Sequence, residues 1–312
     1  MKQTRPKVFI SGANGFLGSH LCDAFLEQGF EVCGNTRHGQ ERIAHLINRP
    51  HFKIVSVELT AARQVAEIIE KFCPDGVVHA AAYNPERSVE SPVPYLEGNE
   101  LATVSVLNAA RSAGVKKFIY ISSMSVYDRR QLTLPVSEEH LVRPNDFYSM
   151  TKHMGETWCQ LYRELFGLSV AILRCAGIYG PRRYYGAVST FMSNALTGKP
   201  LEINRNIGWD LVYVKDVADA VVQSFQALDR RTYDIFNIGS GIETNVEELA
   251  QLVIHEAGSK SQVFLHPDFR KKVASHFYFD ISKARKLLGF RPLALQDGIK
   301  ECIKALQAES SS

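Results

Sequence analysis

An apolar run at 7–11 ends in glycines at 12, 15 and 18, and the chain then turns amphipathic from 16 to 28, with Leu17, Leu21, Phe25 and Leu26 on one face. Strand, glycine-rich turn and helix in that order confine the fold to an open α/β sheet, because each piece has a separate task. Gly12 permits the tight turn, Gly15 lets backbone approach a bound group, and Gly18 lets the helix pack close to the sheet. Amides at the helix start then face an anion such as a diphosphate, where the macrodipole helps. The spacing is GxxGxxG rather than GxGxxG. Further strands are predicted near 30–36, 52–57, 76–80, 117–122 and 168–173, alternating with helices, the rhythm of a doubly wound parallel sheet.

The second strand decides which dinucleotide such a turn would serve. An acid at its end binds the ribose 2′-OH of NAD. None stands there: the chain reads Val32-Cys33-Gly34-Asn35-Thr36-Arg37-His38. Arg37 lies one step past that position, where a guanidinium pairs with a 2′-phosphate that a carboxylate would repel. NADP is therefore expected, with NAD as the alternative.

Two further stretches carry chemistry. The strand 117–121 runs into Ser122-Ser123-Met124-Ser125-Val126-Tyr127, placing hydroxyls at a carboxyl strand end, where open α/β sheets keep reactive groups. Tyr148-Ser149-Met150-Thr151-Lys152 puts a phenol and an ammonium at i, i+4, on one face of a helix. With these go Val78-His79-Ala80-Ala81-Ala82, Asn99, 173–181 (LRCAGIYGP), 213–218 (YVKDVA), 236–241 (FNIGSG) and 280–290 (DISKARKLLGF). In these ordered blocks the chain resembles the extended short-chain dehydrogenase/reductases, in their sugar-nucleotide epimerase and reductase group.

The resemblance implies a Rossmann sheet with a smaller C-terminal α/β substrate lobe. It implies that Tyr148 is the general acid/base, that Lys152 holds the nicotinamide ribose and lowers the Tyr148 pKa, and that Ser123 hydrogen-bonds the same substrate oxygen. Cofactor contacts are implied for Gly12, Asn14, Gly15, Phe16, Leu17, Gly18, Arg37, Glu58, Leu59, Ala80, Ala81, Ala82, Asn99, Ser122, Tyr148, Lys152, Cys175 and Ile178. Tyr83, Ser123, Gly177, Trp209 and Arg270 are the candidate substrate contacts. Cys175 reads as a small buried hydrophobe and His79 as a packed, hydrogen-bonded residue rather than a base.

The departures narrow the reaction. Dehydratases of the group carry Asp-Glu after the catalytic hydroxyl; Met124-Ser125 stands here, which disfavours elimination of water, and the decarboxylases' glutamate is missing too. Trp209 replaces an arginine that contacts the nucleotide in many members, and Gly177 replaces a common asparagine. What remains is an NADP(H)-dependent reductase or epimerase acting at a secondary alcohol or ketone of a nucleotide-linked sugar. The alternatives are an NAD-dependent 4-epimerase, a reductase of a non-sugar ketone and a catalytically silent dinucleotide-binding regulator.

The 312 residues suffice for a dinucleotide-binding domain over 1–175 with about 207–238, and a substrate lobe over 176–206 and 239–312. A net charge of +3 without a basic, aromatic-rich stripe argues against nucleic acid. Six scattered cysteines with no CxxC suggest buried thiols in a reducing compartment and no metal site. No signal peptide and no apolar run of about 18 residues is read, so the expectation is cytoplasmic, away from membranes. By analogy with the family, a homodimer is expected through helices around 95–112 and 149–166.

Overall fold

The computed structural model describes residues 5–84, 91–130, 132–229, 232–267, 269 and 276–310. These divide into two compact units. The first lies within 1–130, 140–174 and 218–236, and the second within 131–139, 175–217 and 237–312.

The first unit is built on β1 (Lys7–Ser11), β2 (Glu31–Thr36), β3 (Phe52–Ser56), β4 (Gly76–His79), β5 (Lys117–Ser123) and most of β6 (Ser169–Cys175). With β10 (Tyr233–Ile238) they form a seven-stranded sheet of order β10-β6-β5-β4-β1-β2-β3. The pairs β1–β2, β1–β4, β2–β3 and β4–β5 are parallel, with Phe9 opposite both Cys33 and Val77. Every residue of β4 and β6 is buried, so these strands read as continuous apolar runs rather than alternations. This is the doubly wound order, reversing between β1 and β4, and ligands of such sheets bind at the carboxyl ends there.

One sheet face is covered by α2 (Ala62–Phe72), α4 (Ala102–Ser112) and α5 (Phe147–Phe166), whose Val65, Ile69, Val106, Cys159 and Tyr162 pack with Phe9, Val77, Phe118 and Ile172. A short α3 (Val93–Tyr95) leads into α4 through a π-helical turn, Leu96–Leu101. Elsewhere in this unit, Phe25 of α1 (Phe16–Glu27), Phe30 and Phe225 meet edge to face at 5.0–5.5 Å.

The second unit contains β7 (Gly177–Tyr179), α6 (Ala187–Leu196), β8 (Leu201–Ile203), β9 (Gly208–Tyr213), β11 (Glu243–Asn245), α8 (Val246–Glu256), β12 (Val263–Leu265), α9 (Ser282–Leu288) and α10 (Leu295–Ser310). From sequence, about 207–238 is expected with the dinucleotide-binding domain, a span whose first strand is β9 (Gly208–Tyr213). In the structure β9 pairs with β7 and β11 in the second unit, and only from Ala218, within α7 (Val214–Ala227), does the chain belong to the first. Two three-residue strands, β7 and the polar β11, flank β9, and periodicity alone does not reveal partners so short.

Asp210, in the middle of β9, ties that strand to the loop 239–241 and to Phe279. Its fully buried carboxylate accepts from the Ser240 amide (2.6 Å) and hydroxyl (2.7 Å), and from the amides of Gly241 and Phe279 (both 3.1 Å). Burial pushes its pKa up, although these hydrogen bonds oppose the shift. Within the described residues, no helix is long and apolar enough to cross a membrane, and no three His, Cys, Asp or Glu side chains group to hold a metal.

Candidate active site

The glycine turn lies at the carboxyl end of β1, packed hard against β4. Gly12 has φ +72°, and a Cβ there would come within 2.8 Å of the Ala81 Cα. A Cβ on Gly18 would lie 2.0 Å from the Gly12 carbonyl oxygen, so helix and turn touch backbone to backbone. Gly15 is exposed, and α1 starts after it with no side-chain cap. Uncapped amides beside a turn that no side chain can fill suit a diphosphate, so the residues present fit a dinucleotide.

Ser11 and His79 tie this turn to the next strand. The Ser11 hydroxyl lies 2.7 Å from His79 Nδ1 and accepts from the amides of Ala80 and Ala81, both at 3.2 Å. His79 Nε2 lies 3.0 Å from Thr103 Oγ1, which in turn donates to the Asn99 carbonyl at 2.6 Å. Burial, then the charge of Lys152, lowers the His79 pKa from 6.5 to about 3. The ring is therefore neutral, accepting from Ser11 and donating to Thr103, a structural bridge as expected.

The carboxyl end of β5 faces the first turns of α5. Asp146 caps that helix through a capping box: its Oδ1 accepts from the Ser149 amide at 2.6 Å, and the Ser149 hydroxyl reaches back to the Asp146 amide. Tyr148, Lys152 and Glu156 then follow at four-residue steps on one face. The helix comes close to the sheet at Gly155, where a Cβ would lie 2.1 Å from the Tyr120 hydroxyl. Lys152 is 3% exposed, donates to the Ile121 carbonyl at 2.8 Å, and lies 5.1 Å above the Tyr120 ring and 5.8 Å from the Tyr148 ring. Ser123, half-buried, accepts from the amide and hydroxyl of Ser125.

Behind these groups is an ion pair that sequence reasoning did not single out. Glu156 and Arg174 are both buried and meet in a bidentate pair, with Nη2–Oε2 at 2.7 Å and Nε–Oε1 at 2.9 Å. The Ser122 hydroxyl donates to Glu156 Oε1 at 2.5 Å, and the Arg174 guanidinium lies 4.8 Å over the Tyr127 ring. Burial opposes the Arg174 charge, but the Glu156 carboxylate more than compensates, so its pKa is raised. Its signal was present: Glu156 extends the Tyr148–Lys152 face by one further turn.

The remaining candidates fall into three groups. Asn14 is buried; its amide donates to the His38 carbonyl and Glu41 Oε2, and its Oδ1 accepts from the Arg42 amide. Phe16 and Leu17 are half-buried on the first turn of α1, Leu59 is buried, and exposed Arg37 and Glu58 stand 3.9 Å apart. Ala80 and Ala81 are half-buried at the end of β4 and Ala82 is exposed. Asn99 and Tyr83 form a clasp: Asn99 Oδ1 accepts from the Tyr83 amide, and its amide donates to the Tyr83 carbonyl and to Thr151, both at 3.0 Å. Cys175, Gly177, Ile178 and Trp209 all belong to the second unit. There Cys175 is buried, and Gly177 pairs with Leu211 in register, where a Cβ would lie 3.0 Å from both the Leu211 side chain and the Trp209 ring. Arg270 lies outside the described residues.

Comparison with known proteins agrees with the fold. The chain is 32% identical over 306 residues to a putative UDP-glucose 4-epimerase of Methanocaldococcus jannaschii, covering 95% of this chain and 97% of that one. It is 30% identical to the UDP-glucose 4-epimerase of Mycolicibacterium smegmatis, covering 97% and 99%. The crystal structure of a Thermus thermophilus UDP-glucose 4-epimerase in complex with NAD superposes with a TM-score of 0.85 at 27% identity, over 96% of this chain and 99% of that one. The sequence model of the NAD dependent epimerase/dehydratase family matches residues 8–239, and the chain belongs to that family, as an NAD(P)-dependent enzyme of the extended short-chain dehydrogenase/reductase group.

Proposed function

We propose that the first unit binds NADP(H) and that the chain interconverts a secondary alcohol and a ketone on a nucleotide-linked sugar, as a reductase or a 4-epimerase. The observation that carries this reading is the placement of Tyr148 and Lys152 one turn apart on α5. Lys152 is buried against the Ile121 carbonyl, two residues before Ser123.

A dinucleotide held at the glycine turn and by Lys152 would supply a hydride acceptor and donor for the sugar carbon. The chain's own groups manage the accompanying proton. Tyr148 takes the hydroxyl proton as the carbonyl forms and gives it back on reduction. The buried ammonium of Lys152 stabilises negative charge on the Tyr148 oxygen at that moment, where low dielectric makes a single cation effective. The Ser123 hydroxyl orients the substrate oxygen. Glu156 and Arg174 hold Ser122, and through it the strand end that carries Ser123. Without carboxylates at 124–125, nothing in that stretch assists loss of water.

Arg37 beyond β2 favours NADP(H) over NAD(H). The second reading is an NAD-dependent 4-epimerase, favoured by the names of the relatives and by the NAD bound to the Thermus enzyme. Titration with NADPH and NADH separates the cofactors, and incubation with UDP-glucose separates epimerase from reductase: an epimerase interconverts sugars with no net change in cofactor. A reductase consumes NADPH stoichiometrically on a 4-keto sugar nucleotide and leaves UDP-glucose untouched. Under either reading, Tyr148→Phe should lower turnover by about 10²–10⁴-fold while dinucleotide affinity stays within about threefold of the parent. Retained turnover would refute the assignment of Tyr148.

A further inference from the structure

Beyond β2 the chain makes a loop closed onto the glycine turn, and Arg42 sits at the closure. Gly39 takes φ +68°, and residues Glu41–Leu46 then coil into a 3-10 helix. The Arg42 amide donates to Asn14 Oδ1 at 3.0 Å, and its guanidinium Nη1 lies 3.5 Å from the Asn14 carbonyl. The Thr36 hydroxyl donates to the carbonyls of His38 and Gly39, and Ser56 donates to that of Arg37. Arg37 and half-buried Arg42 therefore stand at the two ends of one pinned loop. Arg37 follows the strand end, and Arg42 rests against the turn fitted to the diphosphate.

We propose that Arg42 is a second specificity-determining guanidinium, which together with Arg37 receives the 2′-phosphate of NADP(H); this rests on the NADP(H) reading above. Adenosine joined to a diphosphate at the glycine turn has its ribose just beyond β2, where the loop that carries both arginines begins. Two nearby acids count against an anion there, but each is engaged. Glu41 accepts from the Asn14 amide at 3.0 Å, which lowers its pKa and keeps it a charged, occupied carboxylate. Glu58 lies 3.9 Å from Arg37. A dianionic phosphate displaces weak surface pairing of that kind because it offers charge-assisted, bidentate contacts.

The test is titration of the full chain with NADPH and NADH, and calorimetry with 2′,5′-ADP and 5′-AMP to isolate the adenosine end. Arg42→Gln should weaken NADPH and 2′,5′-ADP by about ten- to a hundredfold, as for loss of one charged hydrogen bond, with NADH and 5′-AMP within about twofold. Arg42→Lys should recover only part of the loss, since an ammonium keeps the charge without the fork. A parent that prefers NADPH and keeps that preference in Arg42→Gln overturns this proposal alone. So does equal weakening of both dinucleotides, which would make Arg42 a brace for the turn. If Glu41→Gln abolishes NADH binding, the acid serves the ribose and the proposal fails. A parent with no preference for NADPH removes both the proposal and the reading beneath it.

Discussion

Two glycine-containing loops in this chain look alike in sequence and use their amides in opposite ways. The turn 12–18 ends in a helix that starts with no side-chain cap, and Gly12 stands against the backbone of Ala81, just past β4. The loop 239–241 instead gives the amides of Ser240 and Gly241 to the buried carboxylate of Asp210, from the same unit. Both leave backbone amides beside a glycine bend. One supplies its own anion and becomes a structural joint, whereas the other fits an anion from outside. Composition cannot separate them; the separation comes from whether the fold delivers a carboxylate to the donors.

The largest effect is expected where the internal anion is removed. Asp210→Ala takes the buried acceptor away from the amides of Ser240, Gly241 and Phe279 and should cost about 3–5 kcal/mol, read as a shift in the denaturant midpoint. A change below about 1 kcal/mol would mean that Asp210 is not the joint of its unit. Next is the other loop. Gly18→Ala forces the Gly12 carbonyl aside, and we expect dinucleotide affinity, measured by titration, to fall about a hundredfold, with a smaller loss of stability. Unchanged binding would show that the turn does not need backbone contact with its helix.

The smallest effect concerns the bridge beside the first turn. Folded His79 titrates near 3 and its unfolded counterpart near 6.5, so its contribution is fully present above pH 6.5 and is lost as pH falls towards 3. In that window stability should fall by about 1.4 kcal/mol per pH unit for this one proton. Chemical denaturation at pH 7 and pH 5 should differ by about 2 kcal/mol from this proton in the parent, since the slope sets in only below pH 6.5, and should lose that difference in His79→Asn. An unaltered slope would assign the titration to another group.

Much of the first unit was legible because its signals are local. The apolar runs at β1, β4, β5 and β6, the glycines at 12, 15 and 18, and the i, i+4 pair Tyr148–Lys152 each depend on neighbours a few residues away. The Glu156–Arg174 pair joins positions 18 residues apart, on a helix and a strand, and the closure of Asn14 on Glu41 and Arg42 spans a loop of no regular period. Neither charge pattern differs from that of a solvated surface until the chain has folded. The pairing of β9 failed to show for the same reason. Its partners are three-residue strands, too short to display an alternation.

The sequence by itself determined the doubly wound sheet, the place of the glycine turn, and the phenol and ammonium on one helix face, since backbone sterics and hydrophobic period act within a few residues. Tertiary structure alone decided which buried charges meet. It set Glu156 on Arg174 behind Ser122, gave Asp210 to Ser240, Gly241 and Phe279, and held His79 neutral between Ser11 and Thr103. The reason is physical: the energy of a charge or hydrogen bond depends on its partner's distance and on the water excluded around it, and the folded chain alone defines both.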